Sequence, residues 1–163
     1  MKALGPHPKV GMIWKSAKAV GGRGRWGATA EELAPILSIE GIDFVNLMYI
    51  ECSDDRAKIQ ELYGVNLHTW DDIDLKDDQD DLAALVSNLD LVVSNASSVA
   101  YTAAALGIPT FTFMPVMNYF ILLGDPDAPG WAPSMRYFRK PIHEDWDATF
   151  NIMAVEVRAK LGL

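Results

Sequence analysis

The chain has 163 residues, half of them apolar, and a formal charge of −8. That length fits one domain, residues 1–163, with a core of its own. The acid surplus excludes a general nucleic-acid binder, which needs Lys and Arg in excess. Cys52 is the only cysteine, so no internal disulfide can form; with no apolar signal core near the start, a cytoplasmic location is expected.

In chain order, Val10 to Trp14 reads as a first apolar strand, followed by a long loop rich in cations. Thr29 and Glu32 form a capping box that should start a helix carrying Leu33, Ile36 and Leu37 on one face, with Gly41 ending it. Asp43 to Ile50 reads as a second strand, followed by a helix capped by Ser53 and closed by Gly64. Val65 to His68 is a short third strand. The segment "QDDLAALVSNL" predicts a helix with acids in its first turn, where the helix dipole favours them. "DLVVS" is a fourth strand, "SSVAYTAAALG" a helix of small residues and "IPTFTFM" a fifth strand. "MRYFRK" is a sixth strand, and a last helix starts at Asp145 or Asp147.

Strands that alternate with helices and are apolar throughout predict an α/β fold. The expectation is a Rossmann-like, doubly wound, mostly parallel sheet of about six strands with helices on both faces. The uncharged run from Leu91 to Gly124 is broken by Asn95, Gly107, Pro109, Pro115 and Asn118, so it reads as buried strands around a helix and no membrane span is expected. In such folds ligands sit beyond the carboxyl ends of the strands, which directs attention to the loops after the first, fourth and fifth predicted strands.

The first of these loops contains Gly22, Gly24 and Gly27 in the pattern G-x-G-x-x-G. A dinucleotide fingerprint follows its strand almost at once, because the turn must bring backbone amides to the pyrophosphate, and here Gly22 stands well beyond Trp14. An NAD-binding turn, a solvated loop and an anion-binding loop all fit the composition. Lys15, Ser16, Lys18, Arg23 and Arg25 are the candidate ligands of the last. The second candidate is "SNASS": Ser94, Asn95, Ser97 and Ser98 place small residues at a helix N-terminus, where free amides can meet a phosphate or the serines can simply cap. The Asp-rich stretch from Asp71 to Asp81 carries "DID" and "DQD", either a divalent-ion pair or helix-capping acids. Its spacing misses a calcium loop, the three histidines have no ligand spacing, and no metal is expected. Trp131 and Tyr137 can stack on a base or pack around an edge strand.

The succession "VGMIW", basic loop, "EELAPIL", "DFVNLMY" and "DLAALVSNLDLVVSNASSVAYTAAALGIPTFTFMP" resembles the C-terminal half of GT-B glycosyltransferases of the heptosyltransferase type. The tail "GDPDAPGWAPSMRYFRKPIHEDWD" resembles the glycosyltransferase-like domain that bacteria attach to tetratricopeptide repeats. The resemblance implies a metal-independent domain that binds a nucleoside-diphosphate sugar and needs no other cofactor. The cationic loop and Ser94 to Ser98 would face the donor diphosphate, with Tyr101 and Pro115 near base or sugar. It also implies a partner: a separate N-terminal acceptor half, which usually supplies the catalytic base, or a second copy. Family members commonly carry Asp where this chain has Ala96 and His where it has Tyr101. Those departures keep open a non-catalytic interaction module built on the same fold. An abrupt start, with the first strand a few residues after Met1, is compatible with a piece of a longer chain.

Overall fold

The computed structural model describes residues 4–16, 26–116, 125 and 127–163. Among the described residues, five strands form one sheet: β1 (Lys9–Ile13), β2 (Asp43–Asn46), β3 (Leu91–Asn95), β4 (Thr110–Pro115) and β5 (Met135–Lys140). Their order is β2-β1-β3-β4-β5, and every pairing is parallel. The expected Rossmann-like α/β fold is therefore present, with one strand fewer than the sequence suggests. Val65 to His68 makes a single bridge, Val45 to His68, on the outer edge of β2. Only Leu67 of that segment is buried, so little side-chain packing extends the pairing.

Among the described residues, five helices cover the sheet: α1 (Ala34–Leu37), α2 (Ser53–Tyr63), α3 (Gln79–Val86), α4 (Ser98–Ala105) and α5 (Asp147–Leu161). α1 packs with α5, and α3 packs with α4. The strands sort their side chains accordingly. Met114, Met135 and Tyr137 meet Ala100 and Ala104 of α4, whereas Phe113 packs edge-on against Trp146 and Phe150 at ring separations of 5.0 Å.

Local chemistry explains where the helices depart from expectation. The capping box forms, with Thr29 N–H donating to Glu32 Oε2 (2.8 Å) and Glu32 N–H to Thr29 Oγ1 (3.3 Å), yet the α-helix proper spans only Ala34–Leu37. Pro35 has no N–H to continue the ladder, and the bonds of Ala34 to Glu31 and Ile36 to Leu33 are of the tighter three-residue kind. Ser53 is the first residue of α2 and not its cap; Cys52 occupies the cap position, and the Glu51 carboxylate accepts the Ser53 amide at 2.7 Å. Gly64 closes α2 at φ 66°, a left-handed conformation that glycine adopts without steric cost. Among the described residues no helix is long and apolar enough to cross a membrane.

Candidate diphosphate crevice

The strand order reverses between β1 and β3: the chain leaves β1 toward β2 on one side and proceeds from β3 to β4 on the other. Beyond the carboxyl ends of those two strands lies the crevice where such folds accept ligands. Ile13 stands opposite Ser94 in the sheet register, so Lys15 and Ser16 leave one strand beside the point where Asn95 to Ser98 leave the other. Of the residues singled out in the sequence, this pairing sets the strand end that leads to Lys15 and Ser16 beside the one that leads to Asn95, Ser97 and Ser98.

On the β1 side, Lys15 is anchored. Its ammonium donates to both oxygens of Asp55, at 2.8 and 2.6 Å, and the indole of buried Trp14 donates to Asp55 Oδ2 at 3.1 Å. Asp55 comes from the first turn of α2 and thus ties that helix to the end of β1. Lys15 remains about two-fifths exposed, so part of its donor capacity faces solvent. Lys18, Arg23 and Arg25 lie outside the described residues, as do Gly22 and Gly24.

Gly27 closes the base of the cationic loop. The Ala28 amide donates to Trp14 O at 2.8 Å, and the Trp146 indole donates to Gly27 O at 2.9 Å. A Cβ on Gly27 would stand 3.0 Å from Trp14 O. Close backbone approach thus accounts for this glycine, with no bound dinucleotide required.

On the β3 side, the short polar loop is internally bonded. Ser94 Oγ donates to Asn95 O at 2.6 Å and accepts the Ser97 hydroxyl at 2.9 Å; Ser97 Oγ in turn accepts the Ala100 amide at 3.3 Å and so caps α4. Ser94, Asn95 and Ser97 are buried, so these side chains shape the loop. Ser98 is exposed, and the amides of the first α4 turn that the cap does not reach are oriented along the helix axis toward the crevice. Asn95 Oδ1 is a buried acceptor without a hydrogen-bond partner among the described residues.

Tyr101 of α4 packs against Trp131, with ring centroids 5.7 Å apart and Trp131 two-fifths exposed. This pair offers an aromatic surface beside the α4 N-terminal half. Tyr137 is 2% exposed and belongs to the core, which removes it as a stacking surface. Pro115 is buried at the end of β4, in register with Lys140.

The Asp-rich stretch serves local structure. Asp78 caps α3 by accepting the Asp80 and Asp81 amides, both at 3.0 Å, and Asp74 Oδ1 accepts the Lys76 and Asp77 amides at 2.8 and 2.9 Å. Among the described residues no group of three or more His, Cys, Asp or Glu side chains is placed to hold a metal. Burial pushes the Cys52 thiol above its ordinary pKa, which favours the unreactive protonated form.

Sequence reasoning did not identify Asp55 and Trp146 as parts of this site. Each contacts a partner distant in the chain, and an acid in a helix's first turn carries no signal beyond capping.

No protein-family model matches the chain. It is 35% identical over 158 residues to protein FlbA of Caulobacter vibrioides, an alignment that covers 97% of this chain and 26% of that protein. The chain thus spans about a quarter of the length of this curated relative. Among solved structures, E. coli heptosyltransferase WaaC with ADP superposes with a TM-score of 0.61 at 16% identity, over 94% of this chain and 44% of the other. The glycosyltransferase SnogD from Streptomyces nogalater gives 0.47 at 17% identity, over 99% and 41% of the two chains. Strand order, parallel pairing and the heptosyltransferase superposition together make this chain an α/β, Rossmann-like domain that shares its fold with the matched part of that heptosyltransferase.

Proposed function

We propose that the chain binds the diphosphate of a nucleoside-diphosphate sugar in the β1/β3 crevice, as the donor-binding part of a metal-independent glycosyltransferase. The observation that carries this reading is the register of Ile13 with Ser94, which sets the strand end leading to Lys15 beside the strand end leading into α4. An ammonium and oriented amides can stabilise a departing diphosphate without a metal ion. Lys18, Arg23 and Arg25 of the same loop would add charge, Ser16 and Ser98 would supply hydroxyls at the rim, and Tyr101 with Trp131 would offer a surface for the base. Cofactors beyond the donor are not needed in this scheme. An N-terminal acceptor half or a second copy would complete the catalytic unit in the cytoplasm, within a longer bacterial protein of the tetratricopeptide-associated type.

A second reading is a non-catalytic interaction module. Ala96 and Tyr101 favour it, since alanine offers no side-chain hydrogen bond and a phenol carries no positive charge near neutral pH. The two are separated by the change in melting temperature with UDP, GDP, ADP, CMP, their sugars and NAD. At about a hundred times the dissociation constant, a ligand bound only to the folded state adds about 2.7 kcal/mol. For a domain of this size that corresponds to about 2–4 °C per kcal/mol. A shift of this order with one nucleoside diphosphate, reduced in Lys15→Ala and Arg25→Ala, supports donor binding. A flat response to every compound favours the interaction module, and a response to NAD alone favours the dinucleotide alternative.

A further inference from the structure

Beyond the carboxyl end of β2, one strand away from the crevice, lies a pocket of about 580 Å³ to which the preceding sections assign no role. Its volume falls within the range of about 300–1,000 Å³ usual for small-molecule sites. The walls come from the loop between β2 and α2 and from the segment after His68, and they combine three kinds of surface.

Trp70 and Tyr49 supply aromatic area, each partly buried against the core and therefore held in place. Asn46, 7% exposed, has its Oδ1 engaged by the Met48 amide at 3.1 Å and by the Cys52 thiol at 3.9 Å. That arrangement fixes the carboxamide and leaves its NH2 as the donor end. Backbone amides orient both carboxylates: Ser53 N–H donates to Glu51 Oε1, and Lys76 and Asp77 N–H donate to Asp74 Oδ1. Arg56 adds a cationic donor. It follows Asp55 directly in α2, so the pocket borders the element that anchors Lys15.

A sugar ring presents an apolar C–H face and a rim of hydroxyls that both donate and accept. Flat aromatic area beside fixed carboxylates and an amide donor complements both. Charge narrows the class: five acids and two cations line the pocket, which disfavours phosphorylated, sialylated and uronic ligands. We infer that this pocket is a carbohydrate-binding site for a neutral or amine-bearing saccharide, distinct from the diphosphate crevice. The inference stands independently of the donor reading, since it uses none of the crevice residues.

The test is a titration of the full chain, labelled with 15N, by glucosamine, N-acetylglucosamine and glucuronate in turn, with UDP titrated separately into the same sample. The first two sugars should shift the Trp70 indole resonance and the amides around Glu51, and glucuronate should bind about tenfold or more weakly. Trp70→Ala should reduce saccharide binding about tenfold, and Trp70→Phe should restore most of it. If Trp70→Ala does not fold, Glu51→Gln supplies a second loss-of-binding variant. Lys15→Ala should leave the saccharide response intact. No shift at Trp70 with any of the three sugars, equal binding of glucuronate, or binding unaffected by Trp70→Ala and Glu51→Gln overturns the inference. Failure of UDP alone bears only on the crevice.

Discussion

Asp55 holds Lys15 just beyond the carboxyl end of β1 through both carboxylate oxygens, 2.8 and 2.6 Å from the ammonium, while accepting the Trp14 indole at 3.1 Å. The two bonds differ in setting. The ion pair is partly exposed and screened, whereas the Trp14 side chain is buried. Asp55→Asn keeps an acceptor for the indole and is expected to cost less than about 1 kcal/mol. Asp55→Ala leaves the indole N–H unpaired and is expected to cost about 1–3 kcal/mol. Urea midpoints of the two variants measure the difference; equal losses would show that the indole bond contributes nothing.

Gly27 should resist any side chain. With a Cβ 3.0 Å from Trp14 O, Gly27→Ala must shift the backbone that the Ala28 and Trp146 bonds hold together. A loss of about 1–3 kcal/mol is expected, as for other overpacked sites. Thermal unfolding reads it, at about 2–4 °C per kcal/mol for a domain of this size. An unchanged melting temperature would mean that the loop base yields freely.

Ser97→Ala removes the α4 cap and should lower stability by about 1 kcal/mol. Ser94 keeps its bond to Asn95 O, so the loss should stay near the value for a cap alone. Ser97→Thr, which retains the hydroxyl, should recover most of it. If Ala and Thr prove equivalent by denaturation, the Ala100 amide is satisfied some other way.

Two loop carboxylates set an acid limit. The Ser53 amide holds Glu51 below its ordinary 4.5, and the amides of Asp77 and then Lys76 hold Asp74 below 3.8. Because the unfolded chain takes up these protons at higher pH than the folded one, their stabilisation is complete above the ordinary values. It is lost as pH falls through the depressed ones. Carboxyl-carbon NMR titration should place both midpoints below 4.5 and 3.8, respectively. Midpoints at or above those values would contradict the observed amide bonds.

Much of the architecture is legible in the chain because its signals are local. Apolar runs marked β1, β3 and β4, and Gly64 marked the end of α2 through a backbone angle that glycine adopts freely. The Thr29 and Glu32 pair was readable as a capping box, yet Pro35 shortened the helix that follows by removing a backbone donor. The acids from Asp71 to Asp81 could be read as ligands or caps, and their bonds to neighbouring amides show the capping role of Asp78 and the turn role of Asp74.

The sequence by itself determined the alternation of strands and helices, the cationic loop after the first strand and the small polar loop before α4, since each depends on residues close in the chain. The tertiary structure alone decided that the strand ends leading into Lys15 and into Ser97 lie side by side, because β1 and β3 pair across some eighty residues, with Ile13 opposite Ser94. It also set Asp55 on Lys15 and drew Trp70 and Asn46 to one pocket. Such contacts arise from the packing of separate elements around a common sheet, and no short-range pattern of residue types encodes them.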